Sequence, residues 1–258
     1  MNPPKVFPKI SIITPSYNQS RFIQQTIDSV LNQGYPNLEY IIIDGGSTDN
    51  TLEILQSYGN SIKWVSEPDQ GQADAINKGA QMATGEIMAF INSDDFYLPG
   101  TLITVADAFA NHRCDWLIGN YLIVNQHNAN IQRYIITYKN ILRIFSSYFL
   151  LSLTNFIPQP STFWRMDLYR EVGPLDISLK FALDYDLWMR FWQISPPFKL
   201  SKTLAAFRLH NTSKSGSQFI VQFDEELSVL QRHNHNPLVY FVHKLSNYFI
   251  SKIYCYIK

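Results

Sequence analysis

Short apolar runs alternate with helical patterns along the N-terminal part of the chain. Ile10-Ser11-Ile12-Ile13 predicts a strand that Thr14-Pro15 stops. Phe22, Ile23, Ile27, Val30 and Leu31 then recur at helical spacing, and Gln33-Gly34 ends the run. Tyr40–Ile43 predicts a second strand, followed by the polar loop Asp44-Gly45-Gly46-Ser47-Thr48-Asp49 and a helix carrying Leu52, Ile54 and Leu55. A third strand over 62–65, a third helix over 73–82 and a fourth strand over 87–91 complete the series, which runs straight into Asn92-Ser93-Asp94-Asp95.

This β-α-β-α-β-α-β order predicts an α/β fold, with a mostly parallel, Rossmann-like sheet flanked by helices. Open sheets of this kind bind ligands beyond the carboxyl ends of their strands. The rule brings three polar loops, 14–20, 44–50 and 92–97, to one site. The second half is less regular. Residues 116–124 and 131–138 read as strands joined by a polar turn over 125–130, and 139–153 as an apolar helix. Gly173-Pro174 interrupts the chain before another helical stretch over 187–192. From Phe219 the pattern is helical to the end, divided at Asn236-Pro237. We therefore expect a main domain over 1–217, in two halves of about 9–120 and about 121–217, and a helical extension over 218–258.

Composition narrows the function classes. With 21 Lys+Arg against 21 Asp+Glu the net charge is zero, which argues against a general nucleic-acid binder. The two cysteines, Cys114 and Cys255, form neither a CxxC nor a zinc spacing. They read as reduced thiols of a cytoplasmic protein, and Met1–Lys5 lacks the apolar stretch of a signal peptide. The neutral total hides a division. Residues 116–166 hold Arg133, Lys139, Arg143 and Arg165 and no acid; residues 231–258 hold Arg232, Lys244, Lys252 and Lys258 and no acid. Both segments are rich in aromatic residues.

The chemistry gathers at the strand ends. Adjacent carboxylates such as Asp94-Asp95 repel, and a divalent cation with oxygen ligands, Mg²⁺ or Mn²⁺, offsets that repulsion. Taken alone the pair also fits a solvated turn with a helix-capping Asp; Asp44 and Asp49 at a neighbouring strand end favour the metal.

Thr14-Pro15-Ser16-Tyr17-Asn18, Asp44-Gly45-Gly46-Ser47-Thr48-Asp49, Glu67-Pro68-Asp69-Gln70-Gly71-Gln72-Ala73-Asp74-Ala75-Ile76-Asn77-Lys78-Gly79 and Asn92-Ser93-Asp94-Asp95 together resemble the signature of family 2 glycosyltransferases. The likeness spans about residues 9–215. It implies the GT-A fold and an inverting, metal-dependent transfer from a nucleotide-sugar donor, UDP-linked by preference. It places the donor against Thr14, Pro15, Tyr17, Asn18, Asp44, Gly46, Asp49, Gln72, Asp74, Asn77, Lys78, Ser93 and Asp94. In that scheme Asp44 meets the base, Asp94 lies near the ribose, and Asp95 holds the metal, with His210 a metal ligand or diphosphate donor in the late segment Arg208-Leu209-His210, Ser213, Ser215. Ser93 stands where the family's metal motif often has its first Asp.

An inverting transfer also needs a base to take the acceptor's proton. Phe181-Ala182-Leu183-Asp184-Tyr185-Asp186 is similar to the family's Glu-Asp segment. Asp184 falls on the catalytic aspartate, Asp186 is second choice, and a helix cap is the structural alternative for either. Leu183 replaces the Glu that usually precedes the base. Gln159–Phe163 falls either on the acceptor side or in a buried strand.

The acceptor implied is a glycan or a lipid-linked sugar in cell-surface polysaccharide synthesis. Segments 139–157 and 237–258 suit either packing on the domain or peripheral contact with the inner face of a membrane, since basic amphipathic stretches do both. The rival reading is a non-catalytic nucleotide-sugar-binding or scaffold subunit. Dinucleotide, P-loop and zinc-protease motifs are absent from the sequence.

Overall fold

The computed structural model describes residues 7–211 and 219–257. Ser213, Ser215 and Lys258 lie outside the described residues, as does the side chain of Cys255. The predicted parallel unit is present: β1 (Ile10–Ser16), α1 (Ile23–Leu31), β2 (Leu38–Asp44), α2 (Thr51–Ser57), β3 (Lys63–Ser66), α3 (Gln72–Met82) and β4 (Ile87–Phe90). Then follow β5 (Phe96–Tyr97), α4 (Thr101–Asn111), β6 (Trp116–Val124), β7 (Asn130–Ile131), α5 (Arg133–Ile144) and α6 (Tyr148–Leu153). The chain continues through β8 (Thr162–Arg165), α7 (Met166–Val172), α8 (Leu183–Ile194), β9 (Phe198–Arg208), α9 (Phe219–His233) and α10 (Pro237–Ile257).

All the strands join one sheet in the order β3-β2-β1-β4-β8-β6-β9-β5, with β7 on β6. Strands β3, β2, β1 and β4 are mutually parallel, so three of the carboxyl ends that carry candidate residues point the same way. Beyond β4 the direction alternates: β8 is antiparallel to β4 and to β6, while β9 is parallel to β6. Successive strand residues serve opposite faces. Ile13, Ile41 and Phe90 enter one core with the stacked indoles of Trp116 and Trp188 and the edge-on indole of Trp164, and Ile12, Ile42 and Ala89 enter the other. Helix α3 lies close on β1 because residue 79 is Gly; a Cβ there would meet Ile13 at 2.6 Å.

Two expectations need correction. Residues 131–138 form a helix, α5, apart from the strand end at Ile131. The run Tyr-Ile-Ile-Thr-Tyr favours strands, but the helix seats Ile135 on Tyr121 and Ile123, and Arg143 reaches the carbonyls of Leu200 and Ile118. The helix expected over 139–153 is two, broken at Ser146-Ser147, where Ser147 Oγ accepts the Leu150 N–H at 3.1 Å. The C-terminal helices α9 and α10 pack together, α9 on α8 and α10 on α6. No helix among the described residues is long and apolar enough to cross a membrane.

Candidate active site

A cavity of about 1210 Å³ opens beyond the carboxyl ends of the parallel strands. It exceeds the ~300–1,000 Å³ of a site for one small ligand. One end is formed by Pro15, Tyr17, Asp69, Gln72 and Asn92–Asp94, the other by Asp184, Glu226, Tyr134, Tyr138 and Phe249.

The 92–95 turn is built from below. The Thr26 hydroxyl of α1 lies 2.9 Å from Ser93 O and 2.7 Å from Asp95 O. Arg208, at the end of β9, is buried beneath the turn, its Nε donating to Asp94 O at 2.7 Å and its Nη2 to Gln25 at 2.7 Å. The guanidinium rests on the rings of Phe22 and Phe96. Arg208 therefore holds the turn and does not reach out toward a diphosphate.

The two carboxylates of that turn stand in different surroundings. Asp95, expected as the metal ligand, is fully buried; it accepts from Arg208 N at 2.8 Å and from Asn92 Nδ2 at 3.2 Å. Burial, and then the charge of Asp94, push its proton affinity well above the carboxylate range. Asp94, expected near the ribose, faces the cavity, and its Oδ2 lies 2.9 Å from His210 Nε2. His210 packs on Phe22. Two neighbouring ligands of an octahedral cation at about 2.1 Å stand ~3 Å apart, so Asp94 and His210 fit one Mn²⁺ or Mg²⁺ as a carboxylate–imidazole pair. No group of three or more His, Cys, Asp or Glu suited to a metal occurs among the described residues; donor phosphates would have to supply further ligands.

Next to this turn an amide relay ties three elements together. Gln72 Nε2 donates to Asn92 Oδ1 at 2.7 Å, and Gln159 Nε2 to Phe90 O at 2.7 Å. Gln159 begins a single helical turn over Gln159–Ser161 on the cavity wall, and the mostly buried strand β8 follows.

Many of the expected donor residues shape loops instead of facing the cavity. Asp44 is buried and accepts from Gly46 N, Ser47 N, Ser47 Oγ and Ser66 Oγ at 2.5–3.1 Å. Its carboxylate is thus engaged by its own loop, with Gly46 at φ +82°. Asn18 accepts from Thr48 N, and Asp49 from Ser20 N and Thr51 N, joining loops 14–20 and 44–50. Thr14 is buried against Tyr40. Asp74 and Glu67 flank Lys78 at 3.4 and 2.8 Å. Asn77 binds Leu175 N, Leu175 O and the Tyr169 hydroxyl, fixing the chain after Gly173-Pro174. Pro15, Tyr17, Gln72, Ser93 and Asp94 do line the cavity, and so does Asp69, which the sequence did not single out. Its carboxylate lies so near Gly45 that a Cβ there would meet it at 2.7 Å.

At the far end stands Asp184, in the first turn of α8, with Oδ1 accepting the Tyr185 N–H. Burial first, and the charge of Glu226 second, raise its pKa to about 7; Lys139 opposes the rise. Asp186, the second choice, has close partners on both sides. It is buried between His233 at 3.0 Å and Arg190 at 2.9 Å, an ionic tie from α8 to α9.

Two residues here escaped the sequence reading, Glu225 and Glu226. Glu225 accepts the N–H groups of Lys180, Phe181 and Ala182 at 2.6–2.9 Å, holding the turn that presents Asp184. Glu226 is buried in the cavity wall, with Oε2 3.7 Å from His243 of α10. The sequence signal was an acidic triplet, Asp224-Glu225-Glu226, in an otherwise apolar helix.

Comparison with known proteins bears on this arrangement. The family model "Glycosyl transferase family 2" matches residues 11–173. An uncharacterized glycosyltransferase of Rickettsia typhi is 30% identical over 223 residues, 81% of this chain and 67% of that one. Across the Rickettsia relatives the chain spans from 33% to 67% of their length. The S. aureus TarS 1-349 structure in complex with UDP-GlcNAc superposes with a TM-score of 0.69 at 21% identity, covering 87% of this chain and 66% of that one. The mannosyltransferase PcManGT of Pyrobaculum calidifontis, in complex with GDP-Man and Mn²⁺, gives 0.68 at 18% identity, covering 95% and 70%. The GT-A fold expected from the motifs is the fold observed, and the chain belongs to glycosyl transferase family 2, a transferase family.

Proposed function

We propose that this chain is an inverting glycosyltransferase that moves a sugar from a nucleotide-diphosphate donor, UDP-linked by preference, to a hydroxyl of a glycan or lipid-linked acceptor in cell-surface polysaccharide synthesis. The observation that carries the reading is Asp184: a carboxylate on the cavity wall, far from the donor-side turn in sequence, with a proton affinity near neutrality. A base poised near the working pH combines a useful ionised fraction with a real pull on the proton.

The donor end of the cavity has residues suited to its load. Pro15 and Tyr17 offer a surface to a base, and Asp69 an acceptor for its N–H groups. Asp94 and His210 would hold Mn²⁺ or Mg²⁺, which when bound would neutralise charge on the departing nucleoside diphosphate. Asp184 takes the proton of the acceptor hydroxyl as its oxygen bonds to the anomeric carbon, from the side opposite the leaving diphosphate. Lys139 keeps part of Asp184 ionised for that task. We place the reaction on the cytoplasmic side, at the inner face of the membrane where lipid-linked acceptors are presented.

A thermal-shift screen of UDP-, GDP- and other nucleotide sugars with Mn²⁺ tests the donor class. A donor at 100 times its Kd adds about 2.7 kcal/mol, which raises the Tm by roughly 5–10 °C in a chain of this size. Asp184→Asn keeps the shift and loses most donor turnover. If no donor shifts the Tm, the non-catalytic reading replaces this one; near wild-type turnover in Asp184→Asn removes the base assignment.

A further inference from the structure

Two helices beside the cavity are turned inside out. Helix α10 buries Val239, His243 and Asn247, one per turn along a single stripe, and leaves Leu238, Phe241, Leu245, Tyr248 and Phe249 exposed. Leu238 is 67% and Phe241 60% exposed. Helix α5 is similar: it buries Ile135 and Arg143, whose guanidinium binds backbone carbonyls, and exposes Tyr134 (89%), Tyr138, Ile141 and Ile144. The chain between α5 and α6 adds Phe145 at 74%. A helix that only packs on a water-soluble domain shows the reverse pattern, with its apolar stripe inward.

The placement of these faces is not scattered. Tyr134 and Tyr138 from α5, and Phe249 and Ile250 from α10, line the acceptor end of one cavity. Contiguous apolar surface of this kind marks an interaction site. The charge decides with what. Arg133, Lys244 and Lys252 accompany the apolar residues, Lys252 above the Tyr248 ring, and segments 116–166 and 231–258 carry no acid. A second copy of the same face would set lysines against lysines, whereas an anionic lipid surface complements both the apolar and the cationic groups.

We propose that the exposed faces of α5, Phe145 and α10 form a docking surface for an anionic lipid bilayer, which sets the acceptor end of the cavity at the membrane interface. The apolar side chains enter the headgroup boundary and the lysines meet lipid phosphates. Docking stands on this surface alone; its purpose, access to a lipid-linked acceptor, rests on the transfer proposed above.

The test is co-sedimentation of the full chain with vesicles of phosphatidylcholine alone and with about 30 mol% phosphatidylglycerol. Binding is expected to the anionic vesicles, at least about tenfold weaker to the neutral ones, and reduced by high salt. Phe241→Ser with Leu238→Ser, and separately Lys244→Glu with Lys252→Glu, are each expected to weaken it about tenfold or more. None of these four residues lines the cavity, so the donor-induced Tm shift of each variant stays that of the parent. Absence of binding to either vesicle, or equal binding to both, overturns the proposal. So does a concentration-dependent dimer that the serine pair abolishes, since a second copy then covers the surface. A retained donor shift without vesicle binding refutes docking while leaving the transfer reading intact.

Discussion

Replacing Glu226 by Gln removes one charge from the wall that faces Asp184 while keeping the shape of the side chain. The groups that face Asp184 are few: Glu226 from α9, which raises its pKa, and Lys139 from α5, which lowers it. His243 of α10 stands behind Glu226 at 3.7 Å, and its Nδ1 donates to Ser152 O on the other side. A like charge several ångström away, at an effective dielectric near 20, is worth about 1–3 kcal/mol. At 1.36 kcal/mol per pH unit that is about one to two units, and His243, where charged, offsets part of it. We therefore expect Glu226→Gln to move the acidic limb of log kcat/KM downward by about one pH unit, from near 7 toward 6. The sign follows from the mechanism: Asp184 must be ionised to accept a proton, and removing a neighbouring negative charge eases ionisation. The assay is the pH dependence of turnover for whichever nucleotide sugar the thermal shift identifies, with circular dichroism to confirm the fold. An unmoved limb in a folded variant refutes the electrostatic role of Glu226; an upward shift refutes its sign.

Two more expectations concern stability. Asp184 holds its proton up to about pH 7 in the folded chain, whereas an unfolded Asp releases it near 3.8. Below that window both states are protonated; across it the folded state binds more protons, so stability falls as pH rises and is level above 7. Asp184→Asn is therefore expected to stabilise the apo protein at pH 8 by about 2 kcal/mol, after discount for its contact with cavity water, and not at pH 3; urea unfolding at the two pH values checks it. Glu225→Ala leaves three N–H groups of the 180–182 turn without their carboxylate. It is expected to cost about 1–3 kcal/mol in urea and to lower turnover with donor affinity unchanged.

The donor half was legible because its signals are local. The runs at 10–13, 40–43 and 87–91 are buried on both faces of a parallel sheet and so read as unbroken apolar stretches. Their order alone brought loops 14–20, 44–50 and 92–97 together. Residues 131–138 misled because a run of aromatic and β-branched side chains carries strand propensity, and what opposes it lies elsewhere in the chain: the pocket for Ile135 on β6 and the carbonyls that receive Arg143.

By itself, then, the sequence determined the class of fold, the family and the loops that meet at the candidate site, with Asp94 and Asp184 among its carboxylates. Only the tertiary structure decided what each carboxylate does. Asp94 and Asp95 are indistinguishable as neighbours; the turn sends one to His210 and the cavity and the other to the backbone of Arg208. Asp44 and Asp69 belong to equally strong motifs, yet Asp44 is consumed by three hydrogen bonds of its own loop and one from Ser66, and Asp69 lines the cavity. The missing Glu before Asp184 is answered by Glu225 and Glu226 from a helix that the sequence alone sets apart as an extension. The physical reason is the same in each case. A side chain's burial and hydrogen-bond partners come from residues distant in the chain, and those partners set whether its charge is buried, neutralised or available for chemistry.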